Sequence, residues 1–276
     1  MEKFQAIQSS ELLQPYVKQY WFLSAEGLAK GSQRTIPSGC IALSVKRSGE
    51  IFSVSESRFL PNACIFGQST IPNSFHFNSF DIIMVLFQPL GAKVFFDMPM
   101  SDFKDQNIDI RDLSDLNILE LEDRLMNCFD NQKCICWIEQ FLSERLSRFD
   151  SERYCRLLPA LNLIESNTTA LNKLADVTCL GYKQFKRLFT ENIGLNPKEY
   201  IQIHRFSKAL NIIQATPHTT LNDLAYCCGY YDKSHLIKDF KTLSGYTPAE
   251  FIQQSDPYSP SMSLFQSFFI NAKKFL

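Results

Sequence analysis

The chain has 276 residues, of which 45% are hydrophobic and 24 are Phe, so its composition excludes a disordered protein and its length suits two domains. The net charge of −1 conceals a division along the chain. Residues 1–150 carry 14 Lys and Arg against 19 Asp and Glu, whereas the remainder carries 14 against 10. Only the second half is therefore expected to meet a polyanion such as a nucleic acid.

The sequence predicts neither a membrane segment nor a secretory signal, because it has no run of about 18 apolar residues and its first residues lack an apolar signal core. Nine cysteines without framework spacing are typical of a reducing compartment. The pairs Cys134 with Cys136 and Cys227 with Cys228 lack the spacing of a zinc site, so we interpret them as small buried residues. These features together predict a cytoplasmic protein with no metal site and no cofactor.

Residues 1–90 are typical of a β-rich module, because turn signals separate short extended runs such as residues 40–45 and 82–87. Residues 115–130 and 133–148 then carry apolar side chains at helical spacing, which predicts two helices. The polar stretch 147–153 is the expected linker. We therefore assign residues 1–150 to an N-terminal sensing or dimerisation domain.

The second half repeats itself at an interval of about 50 residues. Leu174 and Ala175 are matched by Leu224 and Ala225. Five further matches at an interval of 51 pair Phe189 with Phe240, Gly194 with Gly245, Pro197 with Pro248, Tyr200 with Phe251 and Ile201 with Ile252. Self-similarity at one interval indicates two copies of a single supersecondary unit.

Each copy has the pattern of a helix-turn-helix unit, in which a short helix and a turn precede a capped second helix. In the second copy, Gly229 supplies the turn and Asp232 the cap. The second helix of each copy places apolar residues on one face and basic residues on the other. A basic face suits the major groove of DNA, where long cationic side chains reach guanine edges and phosphates. The outward residues are Lys183, Gln184, Lys186, Arg187 and Thr190 in the first copy and Lys233, Ser234, His235, Ile237, Lys238 and Lys241 in the second.

A longer helix is predicted between the two copies, from Pro197 to about Ile213. Asn196 and Glu199 around Pro197 predict a capping box, and Thr247 and Glu250 repeat this pattern in the second copy. We expect this helix to be a rigid spacer that holds the two recognition helices apart. Their natural separation is one turn of DNA, about 34 Å. The alternative is a plain helical bundle with a solvated basic face, which two matched copies disfavour.

Residues 155–254 resemble the DNA-binding domain of the AraC/XylS family of regulators. The resemblance is carried by residues 174–176, 185–197, 223–230 and 234–248. It implies a seven-helix domain with two recognition helices in successive major-groove segments, usually activating promoters. The base-facing positions implied are Lys183, Lys186, Arg187, Lys233, Ser234, Ile237 and Lys238. The chain departs from the family pattern at Gly181, where a hydroxyl cap is usual, and at Cys179, where the turn glycine is expected.

The first half resembles, more weakly, the cupin-like regulatory module of such proteins. The fold class expected is therefore α+β multidomain, with an N-terminal β-rich cupin-like module and a C-terminal all-α domain of two helix-turn-helix units joined by a linker helix. In this family such a module binds an effector, dimerises, or does both. Arg34 is the candidate for binding an anionic effector. Only His76 lies in this half, which argues against the His cluster of a metal-dependent cupin.

Three boundaries follow: residues 1–150 as the N-terminal domain, 151–256 as the AraC-type DNA-binding domain and 257–276 as an apolar tail. We expect the tail to be a helix packed on the body, with a partner interface as the second interpretation. The function predicted is sequence-specific transcription regulation, with double-stranded DNA as partner and a small-molecule effector, RNA polymerase and a second copy as further candidate partners. The alternatives are a small-molecule-modifying enzyme domain tethered to DNA and a module that binds acidic protein.

Overall fold

An antiparallel sheet forms the first half of the computed structural model, which describes residues 2–26, 31–149, 151–168, 170–216, 219–254 and 269–271. The described strands run in the order β1-β2-β7-β4-β6-β8, with β3 and β5 pairing at the flanks of β7 and β4. They are β1 (Glu2–Ile7), β2 (Val17–Ala25), β3 (Gly31–Thr35), β4 (Ala42–Ser53), β5 (Arg58–Phe59), β6 (Ala63–Phe66), β7 (Asn73–Phe87), β8 (Asn107–Asp109) and β9 (Phe269–Asn271).

Strand β7 is the centre of this sheet because its 15 residues pair with three other strands. Its second half pairs with β2, its first half pairs with β3, and β4 follows nearly its whole length. Side chains of a strand alternate between the two faces. Ile83 and Val85 accordingly enter the core shared with the helices, whereas Ile82 and Met84 enter a second apolar cluster on the opposite face. Burial on both faces explains why residues 82–87 are apolar without alternation.

The rest of the described chain is helical, which confirms the expected division into a β-rich N-terminal part and an all-α C-terminal part. Short 3₁₀ helices lie at Met100–Phe103 and Ile110–Leu113. The described helices are α1 (Gly91–Phe95), α2 (Leu116–Met126), α3 (Asn131–Leu146), α4 (Glu152–Glu165), α5 (Leu171–Asp176), α6 (Tyr182–Ile193), α7 (Pro197–Ala215), α8 (Leu221–Cys227), α9 (Lys233–Ser244) and α10 (Pro248–Gln254).

One apolar core runs through both halves. The buried cluster that begins at Leu13 continues through the helix-facing side of the sheet to Phe251 in α10. At the junction, the Tyr154 hydroxyl donates to the Pro15 carbonyl at 2.9 Å, and the rings of Tyr16 and Tyr154 lie 5.2 Å apart. The proposed boundary at residues 150 and 151 therefore falls between α3 and α4 but does not separate two independent cores.

Two expectations from the sequence are wrong in this fold. Cys136 and Cys227 are exposed, although their neighbours Cys134 and Cys228 are buried as expected. The apolar tail was expected to be a helix, but residues 269–271 form a strand that pairs with β3. The remaining tail residues named above lie outside the described part of the chain.

Candidate nucleic-acid interface

Two helix-turn-helix units occupy the C-terminal part, one formed by α5 and α6 and the other by α8 and α9. Their turns have matching geometry, since Cys179 and Gly229 both have positive φ angles, of 56° and 73°. Cys179 was expected to stand at the position of a turn glycine, and the backbone confirms this. A non-glycine residue adopts this conformation at a cost of about 1–2 kcal/mol, so the first turn carries strain that the second lacks.

The two recognition helices begin differently. Asp232 caps α9, because its Oδ1 atom accepts a hydrogen bond of 2.8 Å from the backbone N–H of His235. Gly181 precedes α6 and provides no side-chain cap. Both helices end alike, since Gly194 and Gly245 have positive φ angles and donate their backbone N–H to the carbonyl groups of Thr190 and Lys241 respectively. The predicted cap at Asp232 is confirmed.

The outward face of α6 presents its basic side chains to solvent. Lys183, Lys186 and Arg187 are exposed, as is Gln184. Arg187 is the most informative of these, since its side chain is 76% exposed and pairs with Glu191 only at 3.8 Å. Such a distant surface pair contributes little to stability and leaves the guanidinium able to bind another anion. Thr190 is half-buried, and its hydroxyl donates to the Lys186 carbonyl.

On α9, the residues expected to face outward divide into two groups. The exposed group comprises Lys233, Ser234, Lys238 and Lys241. His235 and Ile237 are less open to solvent than this group: the His235 ring packs edge-on against Tyr230 at 5.3 Å, and its Nε2 atom lies 3.7 Å from Asp239. The exposed group is therefore the better placed for DNA contact, whereas His235 takes part in the packing of its own unit.

Helix α7 joins the units and begins with the predicted capping box. The Asn196 side chain accepts from the backbone N–H of Glu199, and the Glu199 carboxylate accepts from that of Asn196. The second unit follows α7 in the chain and packs alongside the middle of this helix. The expectation that α7 is a rigid spacer between the recognition helices stays a prediction.

Three contacts tie α9 and its turn to α7. The Gln202 side chain donates to Asp239 at 2.9 Å, the Arg205 guanidinium lies over the Tyr230 ring at 5.6 Å, and the fully buried rings of Phe206 and Phe240 lie 5.0 Å apart. Burial raises the pKa of Asp239, and the Gln202 hydrogen bond opposes that rise. Gln202 and Arg205 were not predicted from the sequence. The only sequence feature that pointed to them was their polar character at positions beside the apolar face of α7.

The first unit packs on the same helix. Phe189 of α6 contacts the ring of Tyr200 at 5.6 Å, near the start of α7. Both recognition helices are thus fixed to one 19-residue helix, which is about 28 Å long at 1.5 Å per residue. The arrangement presents two exposed basic surfaces from a single rigid support.

Arg34, the candidate effector ligand, points away from an apolar cavity of the sheet. Its guanidinium lies over the Tyr246 ring at 5.1 Å, and its Nε atom is 3.5 Å from the Ser74 hydroxyl. The cavity lies on the other face of the sheet and has a volume of about 90 Å³. We call it the sheet cavity; its lining includes Ile51, Phe75, Phe77, Ile82, Met84 and Lys46.

Lys46 is the charged side chain of the sheet cavity. Its Nζ atom donates to the Leu60 carbonyl at 3.0 Å, and its residue is only 8% exposed. Burial lowers the pKa of Lys46, because a low-dielectric surrounding disfavours the ammonium form. Lys46 was not predicted from the sequence, because it stands in a strand that reads as an ordinary alternation of apolar and polar residues.

Comparison with known proteins agrees with this geometry. Residues 174–254 match a family described as a helix-turn-helix domain, and residues 5–109 match a domain of unknown function, DUF6597. The HTH-type transcriptional activator RhaS of Enterobacter sp. (strain 638) is 30% identical over 83 residues, which are 30% of each protein. The probable transcriptional regulator LumQ of Photobacterium leiognathi is 26% identical over 137 residues, covering 48% of this chain and 55% of LumQ.

The C-terminal part of this chain thus carries an AraC-type helix-turn-helix domain. The chain spans about a third to about half of the length of the two curated relatives. Among solved structures, ToxT from Vibrio cholerae is similar with a TM-score of 0.45 and 10% identity, covering 91% of this chain and 98% of ToxT. A transcriptional regulator with an AraC-type DNA-binding domain, from Chromobacterium violaceum, is similar with a TM-score of 0.35 and 23% identity. The similarity covers 40% of this chain and 99% of that one.

Two further observations concern the described residues of the chain. None of its helices there has the length and apolar character needed to cross a membrane. No three His, Cys, Asp or Glu side chains in the same ranges stand close enough together to hold a metal ion.

Proposed function

We propose that the protein is a sequence-specific DNA-binding transcription regulator that places α6 and α9 in successive segments of the major groove. The observation that supports this most strongly is the attachment of both units to α7, which gives two basic surfaces a fixed relative position. Fixed spacing lets one protein read two half-sites on one face of DNA, about 10 base pairs apart. The residues proposed to contact DNA are Lys183, Gln184, Lys186, Arg187, Thr190, Lys233, Ser234, His235, Ile237, Lys238 and Lys241.

Selection from random-sequence DNA tests this function and identifies the operator motif in the same experiment. The purified chain is incubated with a pool of random duplexes, and bound duplexes are amplified and sequenced over several rounds. A regulator of this kind enriches a motif with two conserved segments, and its affinity falls steeply with salt because bound phosphates release counterions. Enrichment of no motif would contradict sequence-specific binding. A module for acidic protein would show the salt dependence but enrich no motif.

An enzyme tethered to DNA is the alternative from another class. The relatives that match the chain carry the names of transcription regulators, and the sheet cavity is lined mainly by apolar side chains with one ammonium group. These features support the interpretation that the N-terminal part binds a molecule rather than converts one. Recovery of a chemically changed small molecule after incubation with the protein would instead support the enzyme.

The proposal includes a small-molecule effector bound in the sheet cavity. The aromatic and aliphatic walls favour an apolar molecule, and the Lys46 ammonium has donors beyond the one that Leu60 occupies. An apolar molecule with one anionic or strongly accepting group fits this combination. Arg34 was the sequence-based candidate for that role, and its position beside Tyr246 makes Lys46 the better one.

Two fluorescent probes of similar shape test the cavity and Lys46 separately. 1-Anilinonaphthalene-8-sulfonate carries an anionic group, whereas N-phenyl-1-naphthylamine does not. We expect the wild-type chain to prefer the anionic probe and Lys46→Met to lose this preference while it still binds the neutral probe. Ala42→Leu, which fills the cavity from β4, should weaken both. Equal preference in wild type and Lys46→Met would contradict the role of Lys46.

Activation of transcription, contact with RNA polymerase and formation of a homodimer are further parts of the proposal. The name of RhaS as an activator supports the sign of regulation. A cytoplasmic location follows from action on a bacterial chromosome. Transcription in vitro from a promoter carrying the selected motif would test activation, and sedimentation velocity would test dimerisation.

A further inference from the structure

Both recognition helices end against the N-terminal part of the chain. A Cβ atom built on Gly194, at the end of α6, would lie 2.8 Å from the Met100 carbonyl oxygen and 3.1 Å from Gln68 Cγ. A Cβ atom on Gly245, at the end of α9, would lie 2.9 Å from Nη1 of Arg34. These glycines are equivalent positions of the repeat, so the N-terminal part contacts each unit at the same point.

Arg34 makes the contact with the second unit. Its planar guanidinium lies 5.1 Å from the centre of the Tyr246 ring and beside the last turn of α9. A cation is favoured there for two reasons, because it interacts with the face of the ring and because the C-terminal end of a helix carries partial negative charge. Arg34 and Tyr246 are more than 200 residues apart in the sequence.

Strand β3 connects this contact to the sheet cavity. Gln33 and Thr35 line the cavity, and Arg34 stands between them on the opposite face of the strand. The strand is held by β7 along its whole length, from Gly31 to Thr35. Arg34 thus stands on the strand that also lines the cavity, with its side chain on the face that touches α9.

We propose that Arg34 is a positioning residue for DNA binding, which holds the second recognition helix in place. This inference rests on the proposed function. The exposed basic side chains of α6 and α9 lie outside these contacts. Contact with the N-terminal part therefore leaves both DNA-facing surfaces open. The contact with Arg34 therefore favours DNA binding because it preorganises the second unit. Loss of this contact weakens binding to the second half-site.

A footprint on the duplex that the wild-type chain selects tests this role in the full-length protein. Arg34→Ala should lower the affinity about tenfold, within the range expected when a mutation alters coupling without touching the ligand. The loss of protection should be confined to the half-site of α9. Arg124→Ala is the matched control, since Arg124 pairs with Glu120 inside α2 and belongs to the N-terminal part. Unchanged protection in Arg34→Ala, or equal loss over both half-sites, would overturn the proposal.

Hydrogen exchange in the absence of DNA gives a second readout that does not depend on the proposed function. In Arg34→Ala, amides at the end of α9, around residues 241–246, should exchange faster, whereas those at the end of α6 should not change. Arg34→Lys, which restores a cation near the helix end, should recover part of the protection. If the wild-type chain selects no duplex, the proposed function falls while this measurement still decides the role of Arg34. Unchanged exchange around residues 241–246 would overturn that role.

Discussion

Substituting Gly194 with alanine should reveal how firmly the first recognition helix is seated on the N-terminal part. The φ angle of Gly194 is +94°, and the atom nearest to its new Cβ would be the backbone oxygen of Met100 at 2.8 Å. A backbone atom cannot rotate away as a flexible side chain does. The added methyl group must therefore separate α6 from the segment 98–104 or distort one of them.

Gly229 is the matched control for this substitution. Its φ angle is +73°, but the nearest atom to a new Cβ, Asn167 Cβ, lies 3.6 Å away, which is an ordinary contact. Gly229→Ala should therefore cost only the left-handed conformation, about 1–2 kcal/mol. Gly194→Ala carries a similar cost and in addition the overpacking of a filled site, roughly 1–3 kcal/mol. We expect the free energy of unfolding to fall by about 1–3 kcal/mol more in Gly194→Ala than in Gly229→Ala.

Urea unfolding measures this difference with two signals. Fluorescence of Trp21 and Trp137 reports on the N-terminal part, and far-ultraviolet circular dichroism reports mainly on the helices. Because one apolar core joins the halves, the two signals should change together in the wild-type chain. Equal destabilisation by the two alanines would refute the close seating of Gly194. Separate transitions in the wild type would refute the shared core.

Three further predictions concern single residues of the helical part. Arg187→Ala and Lys238→Ala, on different recognition helices, should each weaken specific binding by about 1–3 kcal/mol in a gel shift, and wild-type affinity in both would show that the assigned helices are wrong. Burial lowers the pKa of His204 below its ordinary value. Acid therefore protonates this residue more readily in the unfolded chain, and stability should fall as pH drops below about 6.5. His204→Gln should flatten this part of the profile of urea midpoint against pH, and an unchanged slope would contradict the assignment. Phe206→Ala removes a fully buried ring that packs on Phe240 and should destabilise the chain by about 3–5 kcal/mol in urea, whereas a loss below about 1 kcal/mol would contradict the role of α7 as support.

The local features of the helical part were predictable because each depends on neighbouring residues. The capping box of Asn196 and Glu199 and the cap at Asp232 follow from sequence patterns a few residues long. The turn at Cys179 was implied by the family resemblance. The capping-box pattern recurs at Thr247 and Glu250 of the second copy, which strengthened that assignment. The β-rich character of residues 1–90 was also predictable, since turn residues divide it into short extended runs.

Contacts between distant segments could not be predicted in this way. Nothing in the sequence of α7 tells whether α9 packs beyond its end or beside Gln202 and Phe206, where the structure places it. Arg34 was singled out for its charge, but its partner Tyr246 lies over 200 residues away. The pairing of residues 269–271 with β3 is likewise a long-range choice that the local sequence does not determine.

The most direct test of the account is a hydroxyl-radical footprint of the wild-type chain on its selected duplex. Two recognition helices held on one α7 predict two protected segments on the same face of the DNA, with centres about 10 base pairs apart. Arg187→Ala should weaken one segment and Lys238→Ala the other. A single protected segment, or two segments that both mutants weaken equally, would contradict binding by two separately placed helices.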